Sequence, residues 1–236
     1  MKIGITVAMH WSDEFRPDGD IFIKKLVNSI NDVITCDKVI YVVDNASQYP
    51  SNILTYSNVK YSKIEDQSIE GITGAWNQGI YNAINDGCDI IINTNDDIIF
   101  NNSVNKFIDH INTDAKSINT IYSPLTNGVF VDSQFSNGPK EGVQLTRNIG
   151  GFMFGFTKEH YHKYKFNDIC YFNKNNKYNE GDGIWGGQEG QFIENCEKGA
   201  ICKIVNFCWV DHNKQRGWKK TKKLLSKNEN ISNKSV

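Results

Sequence analysis

The stretch that most constrains what this chain can become is Asp89–Phe100, which reads D-I-I-I-N-T-N-D-D-I-I-F. Ile90, Ile91 and Ile92 form a β-branched apolar run too short for an independent helix, so they read as a buried strand. The run ends on a polar knot of Asn93, Thr94, Asn95, Asp96 and Asp97, and apolar residues resume with Ile98, Ile99 and Phe100. Two adjacent carboxylates at the mouth of a buried strand repel each other unless a cation lies between them. A hard divalent ion with oxygen ligands, Mg2+ or Mn2+, answers that charge and would bring phosphate oxygens with it. The alternative is an Asn/Asp turn that only closes the strand, since both residue types favour turns.

The chain before this stretch alternates strands and helices. Lys2 to Ala8 reads as a strand, followed by a polar loop, Met9 to Gly19, that carries His10, Trp11, Asp13, Arg16 and Asp18. Asp20 can cap a helix in which Ile21, Ile23, Leu26, Val27, Ile30 and Ile34 recur at helical spacing. Lys38 to Val43 is a second strand, ending in Asp44-Asn45-Ala46-Ser47, and Val59 to Ile64 a third. Glu70 to Gly74 reads as a loop with two glycines, and Ala75 to Asp86 as a helix stopped by Gly87. This order implies an α/β fold, a mostly parallel sheet flanked by helices. Ligands on such sheets collect at the carboxyl ends of the strands, so Ala8, Asp44 and Asn95 to Asp97 should converge on one crevice.

The second half is less regular. Ser103 is expected to cap a helix that turns Val104, Phe107, Ile108 and Ile111 inward, and Asn119 to Tyr122 reads as a strand. Gly128 to Asn148 is loop-rich, with room for a short hairpin. Gly150 to Phe156 is an apolar strand opened by paired glycines, and Thr157 can cap a helix reaching Tyr164. Asn173 to Asn179 is a polar insert, expected to be mobile. A helix from Gln191 precedes a last strand, Ile201 to Val210, which ends in Asp211-His212. From Lys214 the chain is basic, and its end is expected to fray.

Composition narrows the function classes. With 236 residues, 39% hydrophobic and 22% charged, the chain has ample material for a globular core. A net charge of −1 supplies no global field that would select nucleic acid or a membrane. The six cysteines never occur as C-x-x-C, which argues against a zinc site and for reduced thiols. The N-terminus enters a strand directly, and no apolar run is long enough to span a bilayer. A cytoplasmic location is therefore expected. The richness in Asn and Lys fits an AT-rich genome, either a bacterium's or that of a virus using its host's cytoplasm.

Six short motifs then fall in order: V-V-D-N-A-S (Val42 to Ser47), G-A-W-N-Q-G-I (Gly74 to Ile80), N-T-N-D-D (Asn93 to Asp97), G-G-F-M (Gly150 to Met153), W-G-G-Q-E (Trp185 to Glu189) and D-H (Asp211-His212). This order resembles the GT-A nucleotide-sugar glycosyltransferases, in particular the family-2-like members, over roughly residues 2 to 218. Three departures stand out. The usual D-x-D is N-x-D or adjacent Asp-Asp. The usual R-N is Trp76-Asn77, which removes a phosphate-facing arginine. The usual G-E-D is Gly187-Gln188-Glu189.

The resemblance implies one GT-A domain over 1–218. Residues 1–100 would be its nucleotide-binding half and 101–218 its acceptor-binding half, with a basic polar tail at 219–236. It implies a UDP-linked sugar donor, a glycan or glycosylated acceptor, and Mn2+ or Mg2+. Asp44 would accept hydrogen bonds from uracil or ribose, or else close an Asx turn with Asn45 and Ser47. Ala8 and Met9 would contact the base, and Gly74, Asn77, Gly150 and Gly151 would line the donor site. Asp97 would bind the metal, with Asn95 or Asp96 assisting and His212 as a third protein ligand, which suits Mn2+ better than Mg2+. Lys214 and Arg216 could neutralise the diphosphate. Glu189 would be the general base of an inverting transfer, with Asp182 its competitor, while Trp185 would stack on an acceptor sugar. Two rival readings remain: a sugar nucleotidyltransferase, disfavoured by the acidic loop after the first strand, and a non-catalytic nucleotide-sugar-binding module. The basic tail could touch a membrane face, although it lacks an apolar stripe.

Overall fold

The computed structural model describes residues 1–13, 16–49, 51, 55–65, 67–128, 132–173 and 190–212, without the side chains of 67–70 and 132. In chain order the elements are β1 (Ile3–Met9), α1 (Gly19–Val33), β2 (Lys38–Asn45), β3 (Val59–Ile64), α2 (Gln67–Asn85), β4 (Ile90–Asn95), β5 (Ile98–Ile99), α3 (Ser103–Thr113), β6 (Thr120–Thr126), β7 (Val143–Thr146), β8 (Met153–Thr157), α4 (Lys158–Tyr164), α5 (Gly190–Glu197) and β9 (Ile201–His212). They build one sheet in the order β3-β2-β1-β4-β8-β6-β9-β5, with β7 also paired to β9. Strands β1, β2, β3, β4, β6 and β9 share one direction, and β5, β7 and β8 run against it. The expected α/β architecture, mostly parallel with helical cover, is present.

Strand alternation sorts β1 between two cores. Ile3, Ile5, Val7 and Met9 pack with Ile23, Leu26, Val27 and Ile30 of α1 and with Phe107 and Ile111 of α3. Burying each of these aliphatic side chains contributes about 1.5–3 kcal/mol. The opposite face of β1 is built from small residues. A Cβ added to Gly4 would stand 2.7 Å from the Ala83 Cβ, and one added to Gly79 would stand 3.1 Å from the Thr6 Cβ. Small side chains on both surfaces therefore let α2 lie close against β1. Thr6 also donates to Asn93 Oδ1 across the β1–β4 pair at 2.6 Å, which satisfies a polar group inside the sheet.

Several local expectations change. The predicted loop from Glu70 to Gly74 is instead the first part of α2, which accommodates its break at Gly71 (φ 58°, ψ −152°), a conformation that favours glycine. Asp20 does not cap α1. It sits in the first turn, paired with Lys24 and accepting from Ser51, while Asp18 holds the cap position. Ser103 is not a cap either: its hydroxyl donates to the Trp209 carbonyl and accepts from the Trp209 N–H, tying α3 to β9. Residues 143–146 form no local hairpin and pair with β9 as β7. Two local readings hold. Gly87 (φ 77°) ends α2, with its N–H on Ile84 O and the Cys88 N–H on Ala83 O. Thr157 Oγ1 caps α4 by accepting from His160 N.

Candidate active site

Because β2, β1, β4 and β9 point the same way and β8 runs against them, one end of the sheet gathers four strand ends and the start of β8. The loop from β1 to α1 is the centre of this rim. A paired bridge between Ser12 and Arg16 closes it, with Arg16 N donating to Ser12 O at 3.0 Å. His10 joins two strand ends. Its Nδ1–H donates to Asn45 O at 2.8 Å, its Nε2 accepts from the Ser12 hydroxyl at 3.0 Å, and its backbone N–H reaches Asp96 Oδ2 at 3.4 Å. Burial lowers the His10 pKa, and the Arg16 charge adds to this against the opposing pull of the Asn45 carbonyl, which keeps the ring neutral.

The two carboxylates at the end of β4 each find a different cation. Asp96 is buried and forms an ion pair with Arg16. Asp97 is also buried, and its Oδ1 lies 3.3 Å from His212 Nε2. Burial pushes both carboxyls towards higher pKa. For Asp97 the neighbouring His212 ring, with the Arg16 charge adding to it, outweighs burial and holds the carboxyl below its ordinary range. For Asp96, burial together with the Asp97 charge outweighs Arg16, and its pKa stays raised. Burial alone would lower His212, but Asp97 beside the ring reverses this. The repulsion expected from the sequence is thus answered by Arg16 and His212, and Arg16 is the functional candidate that sequence reasoning missed. The available signal was its place in the strand-end loop as the loop's one basic residue.

His212 is positioned from three directions. Its backbone N–H donates to Asn127 Oδ1 at 2.9 Å, while Asn127 Nδ2 donates to Asp211 Oδ1 at 2.6 Å, so the end of β6 fixes the end of β9. Phe152 stacks on the imidazole at 6.0 Å, and its carbonyl accepts from the Asn95 N–H at 2.9 Å. Gly150 and Gly151, buried just before Phe152, belong to the same rim. Gln134, itself fully buried, accepts from Gly150 N at 2.6 Å and donates to Ser123 Oγ at 2.6 Å.

A divalent ion can be tested against these groups. Asn95 Oδ1 is a buried acceptor to which no hydrogen bond is directed, and Asp97 Oδ1 faces the His212 ring. The 3.3 Å between Asp97 Oδ1 and His212 Nε2 is close to the roughly 3 Å edge between adjacent ligands of an octahedral ion bound at about 2.1 Å. Asp97 Oδ1 and His212 Nε2 therefore fit Mn2+ in spacing once the ring gives up its Nε2 proton, and the Asn95 oxygen fits it in chemistry. Among the described residues no group of three His, Cys, Asp or Glu side chains closes on one point, so an amide oxygen, water or phosphate would complete the coordination.

Other expected residues have different surroundings. Asp44 is fully buried: Oδ1 accepts from Ser47 N at 2.8 Å and Oδ2 accepts from Tyr61 OH. The turn considered for it is formed, so in this conformation Asp44 shapes the rim and exposes no oxygen to a ligand. Asn77 is spent on the backbone beyond α4. Its Oδ1 accepts from Tyr171 N (3.0 Å) and Phe172 N (2.8 Å), and its Nδ2 donates to Phe172 O (2.9 Å). Trp76 is buried against Phe154 and Phe172, so no cation stands where the family pattern has its arginine. Ala8 and Met9 end β1 beside Asn95 and Asp44, and Gly74 is buried within α2. Asp182, Trp185, Glu189, Lys214 and Arg216 lie outside the described residues, as do most of the polar insert and the basic tail.

No protein-family profile and no curated protein matches the sequence. Solved structures do match. A structure of GalNAc-T7 with UDP, GalNAc and Mn2+ superposes with a TM-score of 0.60 at 13% identity, covering 90% of this chain and 43% of that one. S. aureus TarS 1–349 in complex with UDP gives 0.60 at 15% identity, covering 89% of this chain and 60% of that one. The same TarS fragment with UDP-GlcNAc gives 0.61 at 14% identity, covering 92% and 59%. The chain thus spans about half of each of these proteins, which are longer than it. The architecture it shares with them is the GT-A glycosyltransferase fold.

Proposed function

We propose that the chain is a glycosyltransferase that moves a sugar from a UDP-sugar to an acceptor hydroxyl with the help of Mn2+ or Mg2+. One observation carries this reading. Asp97 and His212 meet at ligand spacing, with the unpartnered Asn95 oxygen two residues earlier in the chain, at the carboxyl rim of a GT-A sheet. The GT-A structures that the chain resembles hold UDP, UDP-GlcNAc or Mn2+.

In this reading Asp97, His212 and Asn95 hold the ion, which would offset charge on the departing diphosphate. His10, Trp11 and the Asp44 turn form the wall that receives the nucleoside, since His10 bridges the ends of β1, β2 and β4. Gly150 and Gly151 leave space for the donor sugar beside Phe152. Glu189, immediately before α5, takes the acceptor proton. The acceptor oxygen then forms the new bond to the anomeric carbon as the bond to the UDP oxygen breaks, which inverts the configuration. The sequence motif alone supports that last assignment.

The test is calorimetry of UDP binding with and without Mn2+, followed by UDP release from a panel of UDP-sugars. Mn2+ should tighten UDP binding in the wild-type protein and not in Asp97→Asn. Equal affinity in both, or no UDP binding under either condition, would remove the reading. A protein that binds UDP-sugars and never releases UDP, even with acceptor glycans present, would be a binding module.

A further inference from the structure

We propose that Arg16 is the protein's own cation for the donor diphosphate, and that Asp96 is a positioning residue that holds Arg16 rather than a ligand of the divalent ion. This rests on the nucleotide-sugar reading above and adds a residue that the family pattern does not supply.

The argument starts from charge. Asp44, Asp96 and Asp97 crowd one rim, and a diphosphate cannot approach three carboxylates without cations to receive it. The element where the family pattern has an arginine carries the buried Trp76 instead. Among the described residues of the rim, Arg16, His212 and His10 carry basic side chains, and burial disfavours charge on His10. His212 is engaged with Asp97, whereas Arg16 keeps an unpaired Nε–H donor beyond its pair with Asp96.

Its placement fits the role. The guanidinium pairs with Asp96, and its charge is also felt by His10, Asp97 and His212. The Asp96 pair uses a terminal nitrogen, and Arg16 Nε is buried without a hydrogen-bond partner. An arginine side chain offers five N–H donors in a planar fork that matches phosphate oxygens, so the unpaired Nε–H is a donor ready for one. The Arg16 backbone is also fixed in place. Arg16 exchanges backbone hydrogen bonds with Ser12, its carbonyl accepts from Gly19 N at 3.0 Å, and Gly19 sits so close to His10 O that a Cβ there would stand 2.5 Å away. Asp96 completes the arrangement. It accepts from the His10 backbone as well as from Arg16, so the carboxylate ties the guanidinium to the neighbouring strand end.

The experiment compares UDP with uridine in EDTA-containing buffer, because the two differ only in the diphosphate. Wild-type protein should bind UDP about tenfold or more tightly than uridine, as expected for charge-assisted contacts. Arg16→Ala should erase most of that difference and leave uridine affinity within about twofold of wild type. If Arg16→Ala does not fold, Arg16→Lys decides: it keeps the charge without the fork, so UDP should weaken severalfold with uridine unchanged. Unchanged UDP affinity, or parallel loss of UDP and uridine, would overturn the assignment. For Asp96→Asn, UDP should weaken while Mn2+ still tightens what binding remains. Loss of the Mn2+ effect would make Asp96 a metal ligand and refute its positioning role. A wild-type protein that binds neither UDP nor uridine, with or without Mn2+, removes the nucleotide reading itself, an outcome distinct from a failure of Arg16 alone.

Discussion

Replacing Asn77 with alanine separates two accounts of the same residue. As a donor contact, Asn77 would matter for UDP binding and little for stability. The structure instead shows an amide that satisfies three backbone groups at once, the N–H of Tyr171, the N–H of Phe172 and the carbonyl of Phe172. Tyr171 is fully buried and Phe172 is 2% exposed, so water reaches the freed groups poorly. A buried polar group left unpaired costs about 1–3 kcal/mol, so three cost about 3–6 kcal/mol after partial relaxation. A domain of this size has a total stability of roughly 5–15 kcal/mol, so the loss is a large fraction of it. At about 2 °C per kcal/mol for a chain of this length, the melting temperature should fall by about 6–12 °C. Urea unfolding followed by tryptophan fluorescence measures it, since Trp76 packs on Phe172. A loss under about 1 kcal/mol, combined with weakened UDP binding, would refute the clamp and restore the ligand role.

The remaining expectations are shorter. Burial holds the His160 pKa down to about 3, so the ring is neutral when folded and charged when unfolded below about pH 6.5. Stability should therefore fall as pH drops from 6.5 towards 3, by up to about 1.4 kcal/mol per pH unit, and His160→Gln should flatten that slope in urea titrations taken at several pH values. Burial alone would raise Asp114, but hydrogen bonds from Lys203, the Lys116 N–H and Tyr122 hold it at about 2. That contribution is present above about pH 4 and lost as pH falls towards 2; Lys203→Met should remove most of it, as thermal melts at pH 5 and pH 2 would show. Gly19→Ala should destabilise by about 2 kcal/mol or more, since its Cβ would meet backbone at His10 O, 2.5 Å away. Gly155→Ala should cost less, because its nearest contact, at 2.9 Å, is the movable Cδ1 of Ile111.

Local pattern was enough to read the parallel half of the fold. β3 starts and ends where the sequence places it, and Gly87 stops α2, because β-branched runs and a terminal glycine act over a few residues. The errors arose where distant parts of the chain decide the outcome. Ser103 looks like a cap by type, yet its hydroxyl is claimed by Trp209, more than a hundred residues away. The strand β7 finds its partner in β9 rather than in a neighbour along the chain, and no turn signal marks such a pairing. Asn77 belongs to a family-like motif, but its side chain answers backbone groups some 95 residues later.

The polar rim divides along the same line. Strand ends reveal which residues can gather there, so Asn95, Asp96 and Asp97 were legible from the rule that ligands collect at carboxyl ends, while His212 came only through the D-H motif of the family resemblance. What that rule cannot say is which charge faces which. The sequence presents adjacent carboxylates and so suggests one cation between them. In the folded chain, consecutive residues at the end of β4 address different partners: Asp96 pairs with Arg16 from the loop after β1, and Asp97 pairs with His212 from the last strand. Removing one partner of a buried pair leaves an uncompensated charge, so each carboxylate depends on a particular distant residue. A divalent ion and a diphosphate would therefore meet a site with a division of labour, Asp97 and His212 on the ion's side and Arg16 on the phosphate's. The contrast between Asp96→Asn and Asp97→Asn in Mn2+-dependent UDP binding tests that division directly, because a single shared metal site requires the two variants to fail alike.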